Sequence, residues 1–287
     1  MVSAPVWGAG GRWFESSRPD LFFRYFGGHL LLILLSNDDG VDSEGLQTLK
    51  EALAPIADVW VVAPDTERTC IGHAITLHKP LRIKELGDHV FATNGTPADS
   101  VLLALRVLLP EKPDMVISGI NKGPNMGQDV SYSGTVAAAK EGAFGGIVSM
   151  AVSLNGRSDF LFHDACRSVL DIIEKMRRPV LPPGTFLNVN IPNIPYEAIK
   201  GFVVTSLGKR IYNGNIIERT DPRGGAYYWI GGDGEGFEPI VGTDLHAVDQ
   251  GYLSLTPLQW DLTSYVTMSA FKGIFSGGCG EDHVAGP

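Results

Sequence analysis

Short unbroken apolar runs recur along this chain, separated by stretches with a helical period. The runs Leu31–Leu35, Val59–Ala63, Met115–Ile117 and Val148–Leu154 are apolar without alternation, which predicts strands buried on both faces. Between the first two, Leu46, Leu49, Leu53 and Ile56 fall on one helical face behind Asp42 and Ser43, either of which can cap a helix. Strand, helix, strand in that order is a βαβ unit, and hence a parallel sheet with a right-handed crossover. Residues 74–93 read as short strands, the last at His89–Thr93. Thr96, Pro97 and Asp99 follow as N-cap, first helical position and capping-box acid, a structural account of Asp99. Leu102, Leu105 and Val107–Leu109 fill that helix up to Pro110. Small residues predict a helix over Thr135–Ala143, and another runs from about His163 to Met176. Phe186–Ile191 and Phe202–Thr205 are late strands, and Arg210–Asp244 is aromatic, Gly-rich and hairpin-like around Tyr227–Ile230. Tyr252–Thr256 closes the ordered part.

Chemistry gathers where these strands stop. The first run ends at Ser36-Asn37-Asp38-Asp39-Gly40. Ligands bind at the carboxyl ends of strands in an open parallel sheet. Two adjacent carboxylates there repel, and a hard divalent cation relieves the repulsion through oxygen ligands. A turn or a helix N-cap would account for one Asp; two after a buried strand favour a site. The strand at Met115 runs into the loop Gly119–Asp129, in which glycines alternate with Asn121, Asn125 and Gln128. That composition lets backbone approach a ligand while carboxamides point at it. Ser131-Tyr132-Ser133-Gly134-Thr135 opens the small-residue helix, and such an N-terminus is an anion site as well as a place for a Ser cap. Thr69, in the loop after the second core strand, offers a hydroxyl to the same cation. Metal ligands beside an anion cradle suit phosphate ester chemistry. His73 and His78 read as structural, so no general base stands out.

Length and composition narrow the class. The 287 residues suit one large α/β domain, or one with an appended subdomain. Asp plus Glu (32) exceed Lys plus Arg (23), and a net charge of −9 disfavours a grip on long nucleic acid. Cys70, Cys166 and Cys279 form neither a zinc pattern nor a disulfide framework, which fits the cytoplasm. Cys70 reads as a small packed residue. No stretch is long and apolar enough to span a membrane. Residues 1–29 lack periodicity and read as a disordered extension or a misassigned start, and residues 276–287 as a loose tail.

The motifs Ser36–Gly40, Ala63-Pro64-Asp65, Gly95-Thr96-Pro97, Gly119–Asp129, Tyr132–Thr135 and Gly251–Leu258 together resemble the survival protein SurE family, in order from about Leu30 to Trp260. The resemblance implies a Rossmann-like three-layer α/β/α sandwich with a projecting β-hairpin and a C-terminal oligomerisation element. The core would span about 30–206, and the hairpin and C-terminal element about 207–275. It implies a metal-dependent 5'-nucleotidase that also takes 3'-nucleotides and short polyphosphate, assembled as a homodimer or homotetramer. One Mg²⁺ or Mn²⁺ per subunit would sit on Asp38, Asp39, Thr69 and Asn121. Asp38, Asn125 and Ser133 would be catalytic, with Asn125, Ser133, Gly134 and Thr135 around the phosphate. Where the family has Ser followed by Gly, this chain has Thr69-Cys70; Thr keeps the hydroxyl.

Rival readings fail on particular residues. A haloacid-dehalogenase-type phosphatase needs an aspartate nucleophile where Asn37 stands. A dinucleotide oxidoreductase needs G-x-G-x-x-G after the first strand, which Gly40 and Gly45 do not supply. A non-catalytic nucleotide-binding module is the rival of another class; it would need the cradle but no water-activating metal.

Overall fold

The structure is a computed structural model that describes residues 30–176, 181–212, 216–230 and 236–275. The expectations for residues 1–29 and 276–287 fall outside these described residues. In chain order the elements are β1 (Leu31–Ser36), α1 (Glu44–Leu53), β2 (Ala57–Pro64), β3 (Ile83–Gly87), β4 (Val90–Thr93), α2 (Pro97–Leu103), β5 (Met115–Lys122), α3 (Gly134–Phe144), β6 (Val148–Asn155), α4 (Phe162–Lys175), β7 (Thr185–Pro192), β8 (Phe202–Val204), β9 (Arg210–Ile211), β10 (Ile216–Thr220), β11 (Ala226–Ile230), β12 (Gly236–Phe237), α5 (Asp244–Asp249), β13 (Leu253–Gln259) and α6 (Tyr265–Phe275).

The main sheet runs β3-β4-β2-β1-β5-β6-β7-β13-β8. From β4 through β7 all neighbours are parallel; β3 and β13 join antiparallel to their inner neighbours. Strand order reverses between β1 and β5, so a crevice opens at their carboxyl ends.

Two faces give three layers. Leu31, Ile33 and Leu35 pack with Leu46, Leu49 and Leu53 of α1 and with Val169, Ile172 and Ile173 of α4. Leu34, Val62 and Val116 point the other way, onto Val101 and Ala138 of α2 and α3. Strands enclosed on both faces are mostly apolar without alternation, as β1 is from Leu31 to Leu35. Each fully buried Leu is worth about 1.5–3 kcal/mol of transfer free energy.

Several expectations shift in detail. α2 opens with the predicted capping box: the Thr96 hydroxyl accepts from Asp99 N at 3.0 Å, and Asp99 Oδ2 accepts from Thr96 N at 2.9 Å. Its buried face is Ala98, Val101 and Ala104, while Val107 is exposed and the last turn widens to a π-helical turn over Ala104–Leu108. Residues 74–82 carry no strand. β5 does not stop at Ile117 but runs on to Lys122. Order continues past Thr256 into α6, whose residues are all solvent-facing; with no buried face, the helix has no core period to read. Cys70 is exposed at φ 57° rather than packed. Among the described residues no helix is long and apolar enough to cross a membrane.

Candidate active site

The chain leaves β1 through a turn that Asn37 holds. Its buried side chain donates from Nδ2 to Gly40 O at 2.9 Å and to the Ser43 hydroxyl at 2.6 Å. Ser43 therefore occupies the N-cap of α1 with its hydroxyl turned to Asn37 rather than to a helix N–H. Gly40 takes φ 100°, which returns the chain into α1. Asp38 and Asp39 are thereby fixed at the reversal point, Asp38 buried and Asp39 half-buried. Burial pushes the Asp38 carboxyl up to about 6, with the neighbouring Asp39 charge adding to the rise and the Thr135 hydroxyl opposing it. Burial also raises Asp39, against the pull of the Lys122 N–H and ammonium.

β5 brings the second donor. Gly119 sits at φ 136°, and a Cβ there would run into the Val152 carbonyl oxygen of β6. The strand can stay paired only because that position is bare. Past an irregularity, Asn121 pairs with Ser153 and Lys122 with Leu154. The Lys122 N–H donates to Asp39 Oδ2 at 3.2 Å. Asn121 donates from Nδ2 to Gly123 O at 2.9 Å, and its Oδ1 accepts no hydrogen bond among the described residues.

α3 closes the crevice. The Ser133 hydroxyl caps it by accepting from Val136 N at 3.1 Å. Thr135 is fully buried, and its hydroxyl donates to Asp38 Oδ1. The hydroxyl expected around a phosphate is thus committed to the acid, because β1 ends directly under the first turn of α3. Gly134 lies flat against the same carboxylate; a Cβ on it would be 2.7 Å from Asp38 Cβ and 2.9 Å from Oδ2.

Asn125 is buried and anchored on three sides. Its N–H donates to Asn190 Oδ1 at 2.9 Å, its Nδ2 to the Ser153 hydroxyl at 2.8 Å, and its carbonyl accepts from Asn188 at 2.8 Å and Asn190 at 2.9 Å. Thr69 stands apart. Its loop is tied to the site by Arg68 N donating to Asp38 O at 2.7 Å, but its exposed hydroxyl donates to Glu67. His73 pairs with Glu141 at 2.9 Å, as a structural histidine would. Beyond Asn125 lies a cavity of about 550 Å³, lined in part by Met126, Asp129, Asn155, Arg157, Arg210 and Phe237.

Comparison with known proteins decides the family. The model of the family described as survival protein SurE matches residues 33–214. The chain belongs to the SurE family. It is 49% identical over 242 residues to the 5'-nucleotidase SurE of Geobacter metallireducens, covering 84% of this chain and 96% of that one. The 5'-nucleotidase SurE of Heliobacterium modesticaldum is 47% identical over 251 residues, 86% of this chain and 92% of its own. The crystal structure of SurE protein from Aquifex aeolicus superposes with a TM-score of 0.77 at 44% identity, covering 85% of this chain and 99% of that chain.

Within this SurE fold the donor set suits a hard cation. Among the described residues no three His, Cys, Asp or Glu side chains gather in one place. Two carboxylates held close, both made weaker acids by burial, beside a carboxamide oxygen that accepts nothing among the described residues, make an all-oxygen set. Sequence reasoning missed Ser153, Asn188 and Asn190. The signal was present: Asn is disfavoured in strands, and two of them spaced by one residue share a face.

Proposed function

We propose that this chain is a 5'-nucleotidase, a divalent-metal-dependent phosphomonoesterase acting on nucleoside 5'-monophosphates, with 3'-monophosphates and short polyphosphate as further substrates. The observation that carries the reading is the convergence of Asp38, Asp39 and Asn121 with the N-terminus of α3 at the strand reversal. Asp38, Asp39 and Asn121 would hold one Mg²⁺ or Mn²⁺, with Thr69 joining if its hydroxyl leaves Glu67. Bound there, the ion supplies charge for a phosphoryl oxygen and lowers the pKa of a water. The residues do the rest. Asn125 and Ser133 orient the phosphate, while the helix N-terminus at Gly134 favours negative charge. Thr135 keeps Asp38 ionised by donating to it.

The nucleoside end would enter the cavity beyond Asn125. Phe237 offers an apolar face there, and Arg210, paired with Asp129, offers a guanidinium. A second copy of the chain would cover the exposed apolar side chains of β10, β11 and α6, among them Trp229, Ile230 and Phe271. The free Cys70 and Cys166 suit a reducing cytoplasm.

The test is phosphate release from a nucleoside monophosphate, abolished by EDTA and restored by Mn²⁺ or Mg²⁺. Asp38→Asn and Asp39→Asn should each lose turnover by about a hundredfold or more while staying folded. Tight nucleotide binding without turnover in metal-replete buffer would favour the binding module instead.

A further inference from the structure

The most concentrated unexplained chemistry lies in β7. A strand enclosed in the sheet carries two fully buried asparagines, Asn188 and Asn190, on the face opposite Leu187 and Val189. Burying a carboxamide is costly unless it is satisfied, so each needs a reason. Asn190 has a complete one. Its Oδ1 accepts from Asn125 N at 2.9 Å and its Nδ2 donates to Asn125 O at 2.9 Å. That is the pattern by which one strand pairs with another, made here by a single side chain. Asn188 adds a second donor to the same carbonyl at 2.8 Å. Ser153, paired with Asn190 across β6 and β7, takes the Asn125 Nδ2 at 2.8 Å.

The flanks of the loop that carries Asn125 have their own anchors: Gly123 N donates to Leu154 O at 3.0 Å, Gly127 N donates to Asp244 Oδ2 at 2.9 Å, and Met126 packs on Leu245 and Val248. The Asn125 peptide between them is held by β6 and β7. It follows Gly123 at φ 100° and precedes Gly127 at φ 57°. An unsupported chain of that composition samples many conformations. The four hydrogen bonds to β6 and β7 fix the Asn125 backbone and half of its amide, and leave its Oδ1 uncommitted among the described residues.

We propose that Asn190 is a positioning residue for phosphate chemistry: with Asn188 and Ser153 it clamps the Asn125 peptide and sets where the Asn125 carboxamide meets the phosphoryl group. The inference rests on the phosphatase reading above and assigns a task to residues outside the acid cluster. Asn190 touches neither acid in this structure, so its role is separable from metal binding.

A double-mutant cycle tests it, using the full chain with Mn²⁺ and a nucleoside monophosphate. Asn190→Ala should lower kcat/KM by about 10- to 100-fold, the cost of misplacing a group by about an ångström. Mn²⁺ affinity, read by calorimetry, should stay within about twofold. Asn125→Ala should lower kcat/KM to a similar degree, and adding Asn190→Ala to it should cost little more, since the clamp then holds nothing of use. A merely structural Asn190 would instead add its full loss to that of Asn125→Ala, and that result overturns the proposal. So does wild-type turnover in Asn190→Ala, or an Asn125→Ala enzyme with unchanged kcat/KM. Those outcomes leave hydrolysis by the wild type intact, whereas failure of the nucleotidase reading appears as a wild type that releases no phosphate. If Asn190→Ala does not fold, Ser153→Ala takes its place in the cycle with the same expectations, because it removes only the amide anchor.

Discussion

The Thr135 hydroxyl donates to the Asp38 carboxylate across 97 positions of the chain. One bond thus joins the end of β1 to the first turn of α3, and it favours the charged form of an acid that burial opposes. Thr135→Val should push the Asp38 pKa above about 6 and weaken Mn²⁺ binding by about tenfold at pH 6, with a smaller loss at pH 8. Thr135→Ser should keep both. Manganese titration at the two pH values checks this; equal losses at both would show that the hydroxyl acts on shape alone.

The metal-free protein should lose stability as pH rises. Between the ordinary carboxyl value of 3.8 and about 6, folded Asp38 holds its proton while the unfolded chain has released it. The folded state therefore binds more protons in that window, and its advantage is complete below about 4 and gone above about 6. The upper bound is about 3 kcal/mol. Urea unfolding of wild type and Asp38→Asn, both stripped of metal, isolates the effect: the difference between them should grow from pH 4.5 to 7 in favour of the variant. Parallel curves would contradict it. Saturating Mn²⁺ should reverse the order at pH 7.

Gly134→Ala places a methyl 2.7 Å from Asp38 Cβ. The backbone of β1 and α3 cannot both stay, so stability should drop by about 1–3 kcal/mol and Mn²⁺ affinity by at least about tenfold. Gly273→Ala, in the exposed helix α6 with open space around it, is the control; it should be neutral or stabilising by about 0.5–1 kcal/mol. Thermal unfolding and metal titration of both variants provide the comparison.

Phe237→Ala should separate nucleotides from simple phosphate esters. If the cavity beyond Asn125 takes the nucleoside, KM for adenosine monophosphate rises by about tenfold while kcat/KM for p-nitrophenyl phosphate holds. Equal effects on both substrates would remove the cavity from substrate binding.

Much of this was legible in residues whose local chemistry has one outcome. Leu31–Leu35 could only be an enclosed strand, and Thr96, Pro97 and Asp99 could only open a helix. Asp38 and Asp39 stood out because charge after such a strand needs a partner. The illegible parts depend on what lies beside a residue. β5 continues to Lys122 because β6 pairs with its Gly- and Asn-rich end, which the composition alone reads as loop. The Thr135 hydroxyl finds Asp38 through the packing of α3, and nothing in the first turn of a helix announces that choice. Asn188 and Asn190 sit within a run that reads as strand, and the use of their side chains emerges only with the loop laid across them. α6 has no buried face for its spacing to reveal.

The groups beneath the proposed phosphate position, Asn125, Asn188, Asn190 and Ser153, are dipoles without formal charge. None of them ionises across the range in which cells live, and none distinguishes inorganic phosphate from a monoester by charge. A permanent cationic clamp would hold the liberated inorganic phosphate as firmly as it seized the ester. In the proposed site the attraction beyond hydrogen bonding would come from the N-terminus of α3 and from an exchangeable ion at the acid pair, so once that ion left, the neutral cradle would have little with which to retain product.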